Sequence, residues 1–320
     1  MKRSLKLLAL LVSLTACPSG LTESMTNAAG EMPSEMLGAA RDFSGTIESG
    51  GIVRSYQVHV PARKASQALP LVLVLHGGGG DGAGMQPLTG MDSSADAAGF
   101  IVVYPDGWQK RWADGRGTTE PEQAGVNDVV FLSSLVQRLS SELNADPKRI
   151  YATGISNGGF MSARLACDAS SVFAAVAVVA ATIPENVRAT CKPSRAVPFV
   201  LIHGTADSFV LEAGGTMTKG SGGVIASTTQ TVALWRDLNK CSSTVTQSEI
   251  NPTNNGTSIT LERYTGCASG SEVAFYKVVN GGHTWPGGSQ YLPVIIVGKT
   301  SRDLNASETI LAFFKNHPRH

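Results

Sequence analysis

Apolar runs with no polar alternation recur along this chain, at residues 71–75, 100–104, 150–153, 174–179, 197–202 and 273–278. A strand that is apolar at every position is covered on both faces, which is the condition of strands inside a parallel sheet. Between the runs lie segments long enough for crossover helices, such as 129–143, 160–167, 228–238 and 307–315. The alternation predicts an α/β fold with a mainly parallel central sheet and helices on both faces. Residues 56–60 alternate instead, as a half-buried or edge strand does. Binding sites in such sheets gather at the carboxyl ends of the strands.

Residues 151–159 read Tyr-Ala-Thr-Gly-Ile-Ser-Asn-Gly-Gly, a strand-like stretch that breaks into Gly-x-Ser-x-Gly and then a helix-compatible run. A serine between strand and helix takes a strained backbone, and side chains two residues before and after it would collide across the turn. Gly154 and Gly158 carry none. The turn leaves the Ser156 hydroxyl exposed above the sheet, with the Asn157 N–H and the positive end of the next helix facing any developing negative charge. Taken alone, the motif also suits a helix N-cap serine among packing glycines.

An unaided serine hydroxyl is a weak nucleophile near neutral pH; it needs a base, and the base needs a group that fixes its tautomer. Asp207 follows the run 197–202 and His283 follows 273–278, so serine, acid and histidine come in α/β-hydrolase order, each just past a predicted strand. His59 is mid-strand, His317 and His320 are terminal, and His76 and His203 precede glycines, where structural hydrogen bonds are expected. His283 is therefore the candidate base. Asp106, Asp128 and Asp168 are the other candidate acids. For the oxyanion, Asn157 offers one N–H donor, and Gly78 or Gly79 in the run 77–80 offers a second. The same run fits Gly-x-Gly-x-x-Gly through Gly77, Gly79 and Gly82, but a dinucleotide loop leaves Ser156, Asp207 and His283 unexplained, so no cofactor is expected.

The first 16 residues combine Lys2 and Arg3, a short apolar run and Thr15-Ala16-Cys17, the pattern of a secretory signal with a lipobox-like end. Residues 1–16 are read as a signal, Cys17 as a lipidation site and sole membrane anchor, with secretion after an ordinary signal cut as the alternative, 17–42 as a flexible tether, and 43–320 as one catalytic domain. Removing residues 1–16 takes away three of the 26 basic residues and no acid, leaving 23 against 25, or −2. Such a balance excludes an electrostatic attraction to nucleic acid. Cys167, Cys191, Cys241 and Cys267 remain, an even number suited to an oxidising compartment. Three connectivities are possible; pairing neighbours closes two short loops and is the expected one. No closely spaced Cys/His cluster suggests a metal.

Together Leu75-His76-Gly77-Gly78, Tyr104-Pro105-Asp106-Gly107, Thr153 to Gly159, His203 to Asp207 and Gly282 to Gly287 resemble the exported feruloyl esterase and poly(3-hydroxybutyrate) depolymerase group of α/β-hydrolases, from about residue 55 to 314. The resemblance implies a serine carboxylic-ester hydrolase acting through an acyl-enzyme on feruloyl or acetyl esters of polysaccharides, on hydroxyalkanoates or on small esters. It also implies that Trp112 and Trp285 line the substrate pocket. Two alternatives remain: a serine peptidase of prolyl-peptidase type, and a catalytically dead glycan-binding lipoprotein.

Overall fold

The computed structural model describes residues 37–64, 66–242, 245–250 and 252–319, and in it the apolar runs pair into one ten-stranded sheet. In chain order the strands are β1 (Arg41–Ser49), β2 (Ile52–Val60), β3 (Leu69–Leu75), β4 (Ile101–Pro105), β5 (Ala145–Ile155), β6 (Ala175–Val179), β7 (Phe199–Gly204), β8 (Val245–Ile250), β9 (Ser258–Tyr264) and β10 (Val273–Val279). Their spatial order is β8-β9-β10-β7-β6-β5-β3-β4-β2-β1. From β10 to β4 all strands are parallel, and antiparallel strands extend both edges.

The main helices are α1 (Gly82–Thr89), α2 (Met91–Ala98), α3 (Asp128–Glu142), α4 (Asn157–Asp168), α5 (Thr228–Leu238) and α6 (Ala306–Lys315). Strand side chains alternate between faces. Leu71, Leu73 and Leu75 of β3 pack into the core beneath α3, α4 and α5, with Phe131, Phe160 and Trp235. Val72 and Val74 face the other core, beneath α1, α2 and α6, with Met85, Ile310 and Phe314. Each such side chain contributes on the order of 2 kcal/mol through burial, so neither face can be left bare.

From β3 the chain passes through α1 and α2 on one face to reach β4, whereas α4 leaves β5 on the opposite face. β4 and β5 lie on either side of β3. The connections after β3 and β5 therefore diverge, and the crevice beyond their carboxyl ends is where such a sheet binds ligands.

Three strands lie outside the sequence reading: β1, and the edge hairpin β8–β9, whose residues are largely polar. β1 begins at Arg41, and Leu37–Gly38 already pairs with Arg63–Lys64, so the folded body starts before the expected boundary at 43. Residues 1–36, with the expected signal and Cys17, lie outside the described residues. Among the described residues no helix is long and apolar enough to cross a membrane. Disulfides join Cys167 to Cys191 and Cys241 to Cys267, tying the ends of α4 and α5 to neighbouring loops.

Candidate active site

Ser156 sits at the junction of β5 and α4 with φ 56° and ψ −122°, a positive-φ conformation outside the usual allowed regions that costs a non-glycine residue about 1–3 kcal/mol. Its N–H donates to Val179 O at 3.0 Å, which holds the strained residue against β6. The flanking glycines are required by close backbone approach. A Cβ on Gly154 would lie 2.5 Å from Gly158 O, and one on Gly158 would lie 2.3 Å from Leu75 O and 2.5 Å from His76 O. Helix α4 is thereby pressed against the end of β3.

Asp207 and His283 leave β7 and β10 at the same edge, and His283 Nδ1 meets Asp207 Oδ2 at 2.8 Å. The other oxygen, Asp207 Oδ1, accepts the N–H groups of Phe209 and Val210 at 2.8 and 2.9 Å. Burial alone would raise the Asp207 pKa, but the charge and hydrogen bond of His283, with His203 and the Val210 N–H, outweigh it and hold the carboxyl below its ordinary value. With a carboxylate at Nδ1, the ring proton is held there and the Nε2 lone pair is left to accept. Phe209 stacks on the imidazole with centroids 5.0 Å apart, and Tyr291 Oη donates to His283 O at 2.8 Å. Gly282 lets the strap 297–299 pass, since a Cβ there would fall 2.0 Å from Val297 O.

The glycine loop after β3 faces Ser156. His76 donates from Nδ1 to Gly77 O at 2.8 Å, and its Nε2 accepts the Gly107 N–H at 2.8 Å, so its tautomer is fixed. Burial, against the opposing Gly77 bond, keeps this imidazole below its ordinary pKa. Gly79 spends its N–H on Lys110 O at 2.8 Å. The N–H groups of Gly78 and Asn157 have no acceptor among the described residues, as expected for a loop and a helix first turn. The Asn157 side chain is fully committed: Oδ1 accepts from Trp112 N at 2.8 Å, and Nδ2 donates to Asp114 Oδ2 at 2.6 Å. Asp114 in turn pairs with buried Arg116 at 2.7 Å.

Ser156, His283, Gly78 and Asn157 line one cavity of about 490 Å³, walled by Met85, Leu88, Phe209, Met217, Tyr291 and Leu292. No hydrogen bond joins Ser156 to His283; nucleophile–base contacts of this kind often tighten only with substrate in place. Loops 211–227 and 284–300 both reach the cavity, through Met217 and Lys219 and through Tyr291 and Leu292. A surface depression of about 540 Å³ lined by Val129, Gln137, Asp168 and Arg319 lies apart and contains no histidine.

Neither tryptophan reaches this cavity. Trp112 is fully buried, donates to His76 O at 2.9 Å and stacks near Phe131; Trp285 is fully buried and donates to Ser307 Oγ at 3.1 Å. Both are core residues whose indole N–H groups are satisfied inside, which corrects the expectation that they line the pocket. The remaining candidate acids are occupied elsewhere: Asp128 with Arg54, Asp168 with Arg164, and Asp106 with Ser55 and Gly82. The sequence reading missed Phe209, which the short spacing from Asp207 could have signalled, and Arg111, next to the tryptophan it chose.

Sheet order, two-sided helix cover and the placement of these groups at the carboxyl edge are those of an α/β-hydrolase. The acetyl xylan esterase from Aspergillus awamori shares the fold with a TM-score of 0.54 at 13% identity, over 86% of this chain and 99% of that one. More narrowly, the chain belongs to the Esterase PHB depolymerase family, whose profile matches residues 54–192. "Putative esterase NocK" of Nocardia uniformis subsp. tsuyamanensis is 30% identical over 283 residues, 82% of this chain and 79% of that protein. Feruloyl esterase B of Piromyces equi is 31% identical over 193 residues, 58% of this chain and 34% of the longer relative. The protein is a carboxylic ester hydrolase.

Proposed function

We propose that the protein is a serine esterase working through a covalent acyl-enzyme, with Ser156 as nucleophile, His283 as base and Asp207 as its orienting acid. His283 Nε2 takes the Ser156 proton as Oγ bonds to the ester carbonyl carbon, and the carbonyl oxygen becomes an oxyanion. Gly78 and Asn157 N–H groups then stabilise that charge, each donor contributing about 3 kcal/mol to the transition state. The imidazolium returns its proton to the departing alkoxide as the C–O bond breaks. Water, deprotonated by the same imidazole, releases the acid and restores Ser156.

What carries this reading is the convergence of a strained serine and an aspartate-held histidine on one cavity. The names of its relatives favour feruloyl or acetyl esters of polysaccharides, and its family favours hydroxyalkanoate esters. Ser156→Ala should abolish hydrolysis of p-nitrophenyl acetate in a protein with unchanged circular dichroism; retained turnover refutes the assignment. Export, with lipid on Cys17, is part of the same proposal, and the mass of the mature amino terminus tests it.

A further inference from the structure

We propose that Arg111 selects esters bearing a carboxylate close to the scissile bond, a preference that rests on the serine-esterase reading of the same cavity. Arg111 lines that cavity beside the glycine loop: its Nη1 lies 2.8 Å from where a Gly78 Cβ would stand. Its Nε is paired with Glu120 Oε2 at 3.0 Å, which orients the fork, and Nη1 has no protein partner among the described residues. Both members of that ion pair are open to solvent, 30% and 50% exposed, so a ligand carboxylate competes for the guanidinium at little loss.

The backbone that delivers Arg111 is itself strained. Gln109 and Lys110 take consecutive positive φ values of 48° and 63°, without a glycine at either position, in a turn closed by Arg111 N donating to Trp108 O at 3.0 Å. Strain of this kind persists where the surroundings impose it and concentrates at functional sites. Here Lys110 O also accepts the Gly79 N–H, so the turn and the glycine loop are one unit. Gly107 is needed beneath it, because a Cβ there would lie 2.4 Å from Arg111 O.

Most charges around the cavity are paired, and the Asp207 carboxylate sits behind His283 rather than facing Arg111. Arg116 is neutralised by Asp114, and Asp81 by Lys110 at 3.2 Å. Lys219 sits over the Phe209 ring, donates to Ser208 Oγ at 3.2 Å, and has no carboxylate partner among the described residues. A planar guanidinium near the oxyanion donors, with a second cation at the rim, suits a carboxylate held one residue away from the ester being cut. Two substrate sources share that chemistry: the acid end of a short hydroxyacid oligomer and a uronate ring in a polysaccharide.

Two matched pairs separate them: the 3-hydroxybutyrate dimer against its methyl ester, and acetylated methyl glucuronoside against acetylated methyl glucoside. In the wild type, kcat/KM should favour the charged member of one pair by about tenfold, and molar salt should shrink that ratio. Arg111→Gln should cut the ratio by about tenfold, Arg111→Lys should keep part of it, and Lys219→Gln should reduce it further from the rim. Equal kcat/KM within both pairs, while Ser156-dependent hydrolysis of p-nitrophenyl acetate persists, overturns the proposal and leaves the esterase reading standing. A charged-substrate preference unmoved in both Arg111 variants also overturns it. Absence of any turnover by the wild type defeats the esterase reading first.

Discussion

Replacing Gly158 by alanine should damage catalysis through the backbone alone. The new methyl would lie 2.3 Å from Leu75 O, 2.5 Å from His76 O and 2.6 Å from Leu75 C, roughly 1 Å inside ordinary non-bonded contact. None of these atoms is the tip of a flexible side chain; all belong to the end of β3 and the start of the glycine loop. Helix α4 must therefore back away by about the overlap, carrying Ser156 and the Asn157 N–H from the Gly78 N–H. A displacement near 1 Å in a positioned site costs about 100-fold in rate, and overpacking of this kind costs about 1–3 kcal/mol of stability. The assay is kcat/KM for p-nitrophenyl acetate beside thermal unfolding followed by circular dichroism. Gly158→Ala protein with wild-type kcat/KM and wild-type Tm would refute the claim that the close approach of α4 to β3 builds the site.

Asp207→Asn keeps the shape of the acid but removes its charge and disturbs the His283 tautomer, so kcat on the same ester should fall by about 10⁴ with the fold retained; a loss under tenfold contradicts the role. His59 bridges Asp42 at 2.6 Å and Asp96 at 2.9 Å, joining β2 to β1 and α2. Burial lowers its pKa, yet the bonds to Asp42 and Asp96 and nearby carboxylate charge outweigh that and leave it raised. A raised folded value means that its stabilisation is complete below the unfolded pKa of about 6.5 and is lost as pH climbs through the folded one. The urea-unfolding difference between wild type and His59→Gln should therefore shrink from about pH 5.5 to about pH 8.5, and a difference that grows over this range contradicts the sign. Replacing Cys167 and Cys191 together by alanine should lower unfolding free energy by about 3 kcal/mol, through a bridge that spans 24 residues; an unchanged urea midpoint counts against it.

The parallel core was legible because burial on two faces leaves no polar positions: β3 and β6 are buried at every residue, and the sequence shows them as unbroken apolar runs. β8 and β9 were not, since an edge hairpin keeps polar residues such as Glu249, Glu262 and Arg263 and takes its order from pairing with β10. Within the site, the glycines around Ser156 were legible because steric demand is local. Tyr291, whose hydroxyl reaches the His283 carbonyl, depends on a loop folding back and leaves no such mark, and Phe209 is marked only by lying two residues after Asp207. Trp112, placed in the pocket wall by the resemblance, is instead a core residue whose N–H donates to the His76 carbonyl, and the neighbouring Arg111 faces the cavity.

Everything rests on Ser156 becoming acylated. Incubating the protein with a fluorophosphonate and sequencing the labelled peptide by mass spectrometry tests this most directly. One adduct, on the peptide holding Ser156, with hydrolysis lost in step with labelling, is the expected result. Stoichiometric inactivation with the adduct on another residue, or full hydrolytic activity in protein labelled at Ser156, would contradict it.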